Sequence, residues 1–328
     1  MNKVPTCVDG RFRLGDVLGS GAYAVVYRAQ NFLKDDSVAI KLEPTINHSS
    51  LQHEYNILKR LAGGVGIPRA LWFGRESTYY ALVLDLLGPS LHDLFIARIQ
   101  QFSLCNVVNL GDQLLSCLEY IHSHNFVHGD IKPQNILVGL NNLRHTAFIV
   151  DFGIAKEYCS TSARTHVPFR QGQNLTGTPA FASINSHLGV ETGCCDDIES
   201  LIHTLIYLLC GSLPWLTDDH EKLSSSTMLE RKVNTTVEVL CHGIPVGFAS
   251  LLIYTCSLAF SQDPDYDYLH SLLHDLHATL PIPASYLLDF SESDPVVHAP
   301  AFSDEHSVAK AVPSSPLKAT PLRKSTHV

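Results

Sequence analysis

The chain of 328 residues carries 23 Lys and Arg against 32 Asp and Glu, a formal net charge of −9 at pH 7. With 45% hydrophobic and 17% charged residues it can bury a sizeable core, which argues against a disordered chain. The acidic balance, with no Lys/Arg block in the first 300 residues, argues against a general nucleic-acid binder. The longest uncharged apolar-rich run, Val246–Phe260, falls short of the roughly 20 residues of a bilayer span, so no transmembrane segment is expected. Met1–Gly10 lacks the apolar stretch of a signal peptide, and nine Cys without a CxxC pair fit reduced thiols. An intracellular protein, cytoplasmic or nuclear, is expected.

In chain order, short β-type runs come first: Phe12–Leu18, Val25–Gln30, Val38–Glu43, Ala70–Phe73 and Tyr79–Leu84. Each is bounded by Gly, Asp or Ser clusters, as strands and hairpins require. One helix is predicted among them, Leu51–Ala62, with Gly63-Gly64 as its stop signal. From about Leu91 the periodicity turns helical. Ser103 is the predicted N-cap of a helix whose Val107, Leu110, Leu114, Leu118 and Ile121 share one apolar face. Ile198–Cys210 is apolar nearly all round and reads as a helix buried at the centre of a large lobe. Val246–Phe260 and Tyr268–Leu276 are further predicted helices. After about Phe290, Pro295, Pro300, Pro313, Pro316 and Pro321 punctuate a Ser-, Ala- and His-rich stretch that cannot offset its ordering entropy. The organisation predicted is an α+β protein: an extension at 1–11, a small antiparallel-sheet lobe with one helix at 12–84, a mainly helical lobe at 85–285, and a tail at 286–328. The tail turns basic at its end, at Lys310, Lys318, Arg323 and Lys324.

Four motifs carry chemistry. Gly19-Ser20-Gly21-Ala22-Tyr23-Ala24 lies between two β-type runs, so it is a hairpin tip whose backbone N–H groups can cover phosphates from above, not the helix-opening loop of a dinucleotide fold. Val38-Ala39-Ile40-Lys41 follows, with a Lys that could pair with phosphates if an acidic group held it, and Glu54 on the next helix is the candidate. Directly after the amphipathic helix, His128-Gly129-Asp130-Ile131-Lys132-Pro133-Gln134-Asn135 gathers a base, a phosphate contact and a metal ligand into one small volume. Asp151-Phe152-Gly153 comes 21 residues beyond Asp130. Taken in this order, the four pieces match the general protein-kinase signature.

Further blocks make the chain resemble the casein kinase 1 family of serine/threonine kinases. They are Gly63-Gly64-Val65-Gly66-Ile67-Pro68, Leu86-Leu87-Gly88-Pro89-Ser90-Leu91, Leu175-Thr176-Gly177-Thr178 and Ala182-Ser183-Ile184-Asn185, the last standing where most kinases carry Ala-Pro-Glu. Asp196-Asp197 with Glu199-Ser200-Leu201, then Gly211-Ser212-Leu213-Pro214-Trp215, Glu238-Val239-Leu240-Cys241 and Pro264-Asp265-Tyr266 complete the match, which runs from about Phe12 to about Leu280. The resemblance implies a bilobal protein-kinase fold and an enzyme that transfers the ATP γ-phosphate to Ser/Thr hydroxyls of protein substrates, acidic ones, with Mg2+. By that resemblance Asp130 and Lys132 are catalytic, and Asn135 and Asp151 ligate Mg2+. Leu18, Gly19, Ser20, Gly21, Val26, Ala39, Lys41, Glu54, Asp85, Leu87 and Leu137 would hold ATP, Lys41 pairing with its phosphates under the grip of Glu54. Asp197 matches the family Asp that fixes the catalytic-loop backbone. A monomer is the default expectation.

Three departures bear on this. Ala24 replaces the third Gly of the loop, and Gly129 replaces the Arg usual before the catalytic Asp, an Arg that often binds an activation-loop phosphate; a Gly there also loosens the backbone. The family's phosphate-reading Arg is missing where this chain has Pro179-Ala180-Phe181, and Leu216–Ser226 is acidic where relatives are basic, although Arg170 and Lys156 remain. These motivate the alternative of a catalytically weak or silent pseudokinase acting as a scaffold; a small-molecule kinase of the same fold is a third reading. Cys194-Cys195 reads as a pair of plain surface thiols, and the 18 His show no ligand spacing, so no metal is assigned to them. Ser315-Pro316 and Thr320-Pro321 are candidate proline-directed phosphorylation sites.

Overall fold

Alternating apolar and polar positions in the first part of the chain favour strands with one buried face, and they form a six-stranded antiparallel sheet. The computed structural model describes residues 5–21, 23–45, 50–76, 78–97, 101–160, 165–216, 223–280 and 287–290. The strands are β1 (Cys7–Val8), β2 (Phe12–Ser20), β3 (Val25–Asn31), β4 (Asp36–Pro44), β5 (Ala70–Arg75) and β6 (Tyr79–Asp85), in the order β1-β2-β3-β4-β6-β5. All five predicted runs are strands, each extended by one to three residues. β1 comes from the segment set apart as an extension: Asp9 and Gly10, both at positive φ, turn the chain so that Val8 pairs with Phe12.

β4 lies inside the sheet and is covered on both faces. Val38, Ile40 and Leu42 pack with Val8, Phe12, Ala29, Ala81 and Val83 in a small core on one side. Ala39, Lys41 and Glu43, alternating with them, face the other way. Helix α1 (Ser50–Arg60) covers that second face, and its buried residues, Leu51, Glu54, Ile57 and Leu58, recur at helical spacing.

The rest of the described chain is mainly helical: α2 (Leu91–Ala97), α3 (Leu104–Ser123), short strands β7 (Phe126–Val127), β8 (Ile136–Val138), β9 (Ala147–Ile149) and β10 (Lys156–Glu157), then α4 (Ile184–His187), α5 (Cys194–Cys210), α6 (Ser225–Asn234), α7 (Val237–Leu240), α8 (Gly247–Ser257) and α9 (Tyr266–Ala278). Ser103 caps α3 as predicted, its Oγ accepting the Asn106 N–H, and the predicted face from Val107 to Ile121 is buried. α5 is the hub; every residue of it but Tyr207 is buried. It starts four residues before the predicted Ile198, because Asp196 accepts the Gly193 N–H at 2.7 Å and closes its first turn. Cys194 and Cys195 therefore belong to that buried turn, and the expectation of surface thiols is corrected: Cys194 packs with Val127 and Tyr158. α9 is longer than predicted at both ends, starting from an Asp265 cap that accepts the Tyr268 N–H.

Leu287–Phe290, assigned to the tail by composition, dock on the helical lobe. Leu288 is buried, Asp289 exchanges backbone bonds with the Asn106 side chain, and Phe290 packs on Phe102. The rest of the tail with its Ser-Pro and Thr-Pro sites, the acidic stretch 217–222, and Ala22 lie outside the described residues. No helix among the described residues is long and apolar enough to cross a membrane.

Candidate active site

Antiparallel register sets the first line of the site. Gly19 lies opposite Val26, Val26 opposite Lys41, and Lys41 opposite Leu82. Directly opposed residues share a face, so the hairpin tip, Val26 and Lys41 look toward the same cleft. Ala39, two residues before Lys41, shares that face. The tip is closed by the Gly21 N–H donating to the Ala24 carbonyl at 2.9 Å, so Ala24 serves the turn through its backbone. Leu18 is half exposed at the end of β2, beside Gly19 and Ser20.

α1 sits at a height fixed by a residue that no sequence motif marks. The buried Glu43 carboxylate accepts the backbone N–H of Ser50 and Leu51 and the Ser50 hydroxyl, capping the helix. Glu54, one turn further on, then meets Lys41: Nζ is 2.8 Å from Glu54 Oε2 and 2.6 Å from Asp151 Oδ1. Glu54 Oε1 also accepts the Phe152 N–H, and His53 Nε2 donates to the Ala155 carbonyl, so α1 is tied to the segment following Asp151. Burial opposes a charge on Lys41, but the Glu54 and Asp151 carboxylates outweigh it and raise its pKa. Burial likewise opposes ionisation of Asp151, and the Lys41 ammonium prevails, lowering its pKa. Lys41 and Asp151 therefore face each other fully charged near neutral pH.

The second group follows β7. Asp130 Oδ2 lies 2.6 Å from Lys132 Nζ, and Oδ1 accepts the Thr178 N–H at 2.8 Å. Lys132 Nζ also donates to Thr178 Oγ1 at 2.7 Å. Asn135 Nδ2 donates to both the carbonyl and the carboxylate of Asp130, and among the described residues no hydrogen bond engages Asn135 Oδ1. The Val150 N–H donates to the Asn135 carbonyl, so the loop and the strand leading to Asp151 are joined. Asp151 itself takes a left-handed backbone, φ 68°. Its carboxylate and the Asn135 amide oxygen are hard oxygen donors, a set that suits Mg2+.

Beneath the loop, the 2% exposed Asp197 accepts the N–H of His128 at 2.7 Å, of Gly129 at 2.8 Å and of His122 Nε2 at 3.0 Å. His128 donates from Nε2 to the Val150 carbonyl and accepts the Asp130 N–H at Nδ1, so both ring nitrogens are engaged and the ring orientation is fixed. Phe152 packs edge-on against it. Gly129 has φ +80°, a conformation that L side chains rarely adopt, and its N–H is pinned to Asp197. The expectation that a Gly here loosens the loop is thereby corrected.

Residues 12–250, well over half of the chain, match the family model for the protein kinase domain. The chain belongs to the protein kinase family. A protein kinase domain uses ATP as phosphoryl donor, typically with Mg2+, and the residues above supply opposed cations and carboxylates at the junction of sheet and helical regions. On the far wall of this kinase cleft, Leu137 of β8 bridges to Ser90, and the link after β6 follows at Leu86–Leu87. The Asp85 side chain is committed to Arg69, and its N–H to the Arg69 carbonyl. Among the described residues no hydrogen bond engages the Leu87 backbone, which leaves it open to the edge of a flat heterocycle. Lys156, one of the two cations left for a phosphorylated substrate, is committed to Glu191; Arg170 is exposed.

Proposed function

We propose that this kinase is an active serine/threonine kinase of casein kinase 1 type, transferring the ATP γ-phosphate to Ser/Thr hydroxyls of acidic proteins. The single observation that carries activity is the Lys41 ammonium bridging Glu54 and Asp151 while Asp130 stands hydrogen-bonded to Lys132 and Thr178. A silent scaffold has no need to keep both clusters assembled.

In this reading the adenine lies between Val26 and Ala39 on one side and Leu137 on the other, with its polar edge at the Asp85–Leu87 backbone. The amides of Gly19, Ser20 and Gly21 cover the phosphates, and Lys41, oriented by Glu54, pairs with them. Asp151 and Asn135 would hold Mg2+, which when bound neutralises charge on the phosphate oxygens. Asp130 orients the attacking hydroxyl and accepts its proton, and Lys132, within 2.6 Å of Asp130, neutralises the γ-phosphate as it transfers. Lys132 and Thr178 narrow the space above Asp130, which supports a short Ser/Thr hydroxyl as acceptor. With Lys156 paired and Pro179-Ala180-Phe181 supplying no cation, acidic but unphosphorylated sites are favoured over phosphate-primed ones.

The test is transfer of labelled γ-phosphate from Mg·ATP to casein, with Asp130→Asn as control. Transfer abolished by the substitution supports the reading. ATP binding without transfer in the unaltered chain overturns it in favour of the scaffold.

A further inference from the structure

The expectation that no His shows ligand spacing fails at α9. His270 and His274 stand four residues apart, so their rings share one face of the helix. That face packs on α3, where Asp112 completes a group whose three donor atoms lie within 4.8 Å of one another. His270 Nδ1 is 2.6 Å from Asp112 Oδ1, and His274 Nε2 is 3.4 Å from the same oxygen. Ligands about 2.1 Å from a tetrahedral ion stand about 3.4 Å apart. The His274 contact already has that spacing, and the His270 contact reaches it by opening less than 1 Å.

Outside these three lies an orienting partner. Ser116 donates its hydroxyl to the Asp112 carbonyl at 3.0 Å and presents its oxygen to His270 Nε2 at 3.4 Å. Ser116 thereby holds the Nε2–H, while Nδ1 donates to Asp112 Oδ1; a bound ion would displace that Nδ1 proton and take its lone pair, leaving the outer hydrogen bond usual for a metal-bound imidazole. Glu119 and Asp267 add negative potential at His270. His274 and Asp112 are partly exposed, so an ion can enter from solvent and keep water in its remaining position.

We propose that Asp112, His270 and His274 form a binding site for a first-row divalent transition ion, Zn2+ foremost, which clamps α9 to α3. Two imidazoles and one carboxylate suit such an ion and not Mg2+, which prefers oxygen ligands, so the site is chemically separate from the kinase cleft. An ion bound here stabilises the folded chain by linkage.

The experiment is titration of the full chain with ZnCl2 in excess Mg2+, read by calorimetry and thermal unfolding, with X-ray absorption at the zinc edge. The expected result is one zinc with nitrogen and oxygen ligands only, raising the unfolding temperature. His274→Ala, at a partly exposed position that the fold tolerates, and the isosteric Asp112→Asn should each weaken binding at least 10-fold, and Ser116→Ala about 10-fold. Binding unchanged in both ligand variants, sulfur in the absorption spectrum, or no zinc-dependent shift in the unaltered chain each overturns the proposal.

Discussion

Replacing Asp197 by Asn keeps the shape of the side chain and exchanges one carboxylate oxygen for an amide NH2. In the structure three N–H groups converge on the two oxygens: Gly129 on Oδ1, His128 and His122 on Oδ2. An Asn offers one oxygen, so either the Gly129 N–H or the other pair faces a donor. One buried donor left unmade costs about 1–3 kcal/mol, and His122 also loses its counter-charge. A working figure of about 3 kcal/mol follows, and at about 2–4 °C per kcal/mol it lowers the unfolding temperature by about 6–12 °C. The Gly129 amide immediately precedes Asp130, so releasing it lets the proposed base drift. A shift of about 1 Å costs about 100-fold in turnover. Lys41 and Glu54 make no contact with Asp197, so KM for ATP should stay nearly constant. Scanning fluorimetry and phosphate transfer at saturating ATP read the two effects. Unfolding within about 2 °C of the unaltered chain would refute the energetics, and a large thermal loss with unchanged kcat would refute the positioning role.

Lys41→Met strands Glu54, whose side chain is 1% exposed, and should cost about 3–5 kcal/mol in urea unfolding. Adding Glu54→Gln should restore most of that stability but no phosphate transfer; a double variant as unstable as the single one contradicts the ion-pair account. A Cβ at Gly177, which has φ +79°, would lie 2.4 Å from the Gly129 carbonyl oxygen. Gly177→Ala should therefore displace the Thr178 amide from Asp130 and cut kcat about 100-fold; normal turnover would show that the loop yields freely. Burial opposes a charged His122, but the neighbouring Cys194 sulfur and the Asp197 carboxylate prevail and push its pKa up to about 10, while Asp197 is held low. A raised His contributes stability that is full below its unfolded pKa, about 6.5, and is lost as pH climbs through about 10. The depressed Asp contributes above its unfolded pKa and loses that contribution as pH falls. Unfolding temperature should thus decline between pH 6.5 and 10 more steeply in the unaltered chain than in Asp197→Asn, and parallel curves would count against the pair.

Local patterns made much of this legible. Glu54 was legible as the acid that holds Lys41 because it lies on the helix that follows the Lys41 strand, one turn beyond Leu51, and the structure buries it against Lys41. The face from Val107 to Ile121 and the Ser103 cap were readable for the same reason: each link in them joins residues three or four apart in the chain. The Asp9-Gly10 turn was equally local and was passed over, since two residues are too few to show a strand's alternation; the dipeptide itself was the hairpin signal. Cys194 and Cys195 failed differently. Nothing near them in sequence marks them as buried; Val127 and Tyr158, far away in the chain, cover Cys194. The Asp112–His270 contact spans 158 residues and had no local trace beyond the spacing of its two His.

Glu43 shows how local and distant information combine at the site itself. On β4 it stands two residues beyond Lys41, so the pleat obliges both side chains to face α1. Its carboxylate then holds the first turn of α1, and three residues beyond Leu51 that helix presents Glu54 to Lys41. One strand therefore sets both ends of the ion pair: the cation directly, and the anion through the helix it caps. An acid near a strand end reads from sequence as solvated charge, because nothing within four residues needs it. Its partner amides are seven and eight residues on, across a chain reversal, and only the folded sheet brings the strand and the helix start together. The geometry makes the Lys41–Glu54 distance depend on a carboxylate that touches neither residue, so the loss caused by Glu43→Gln should appear first in the alignment of that pair.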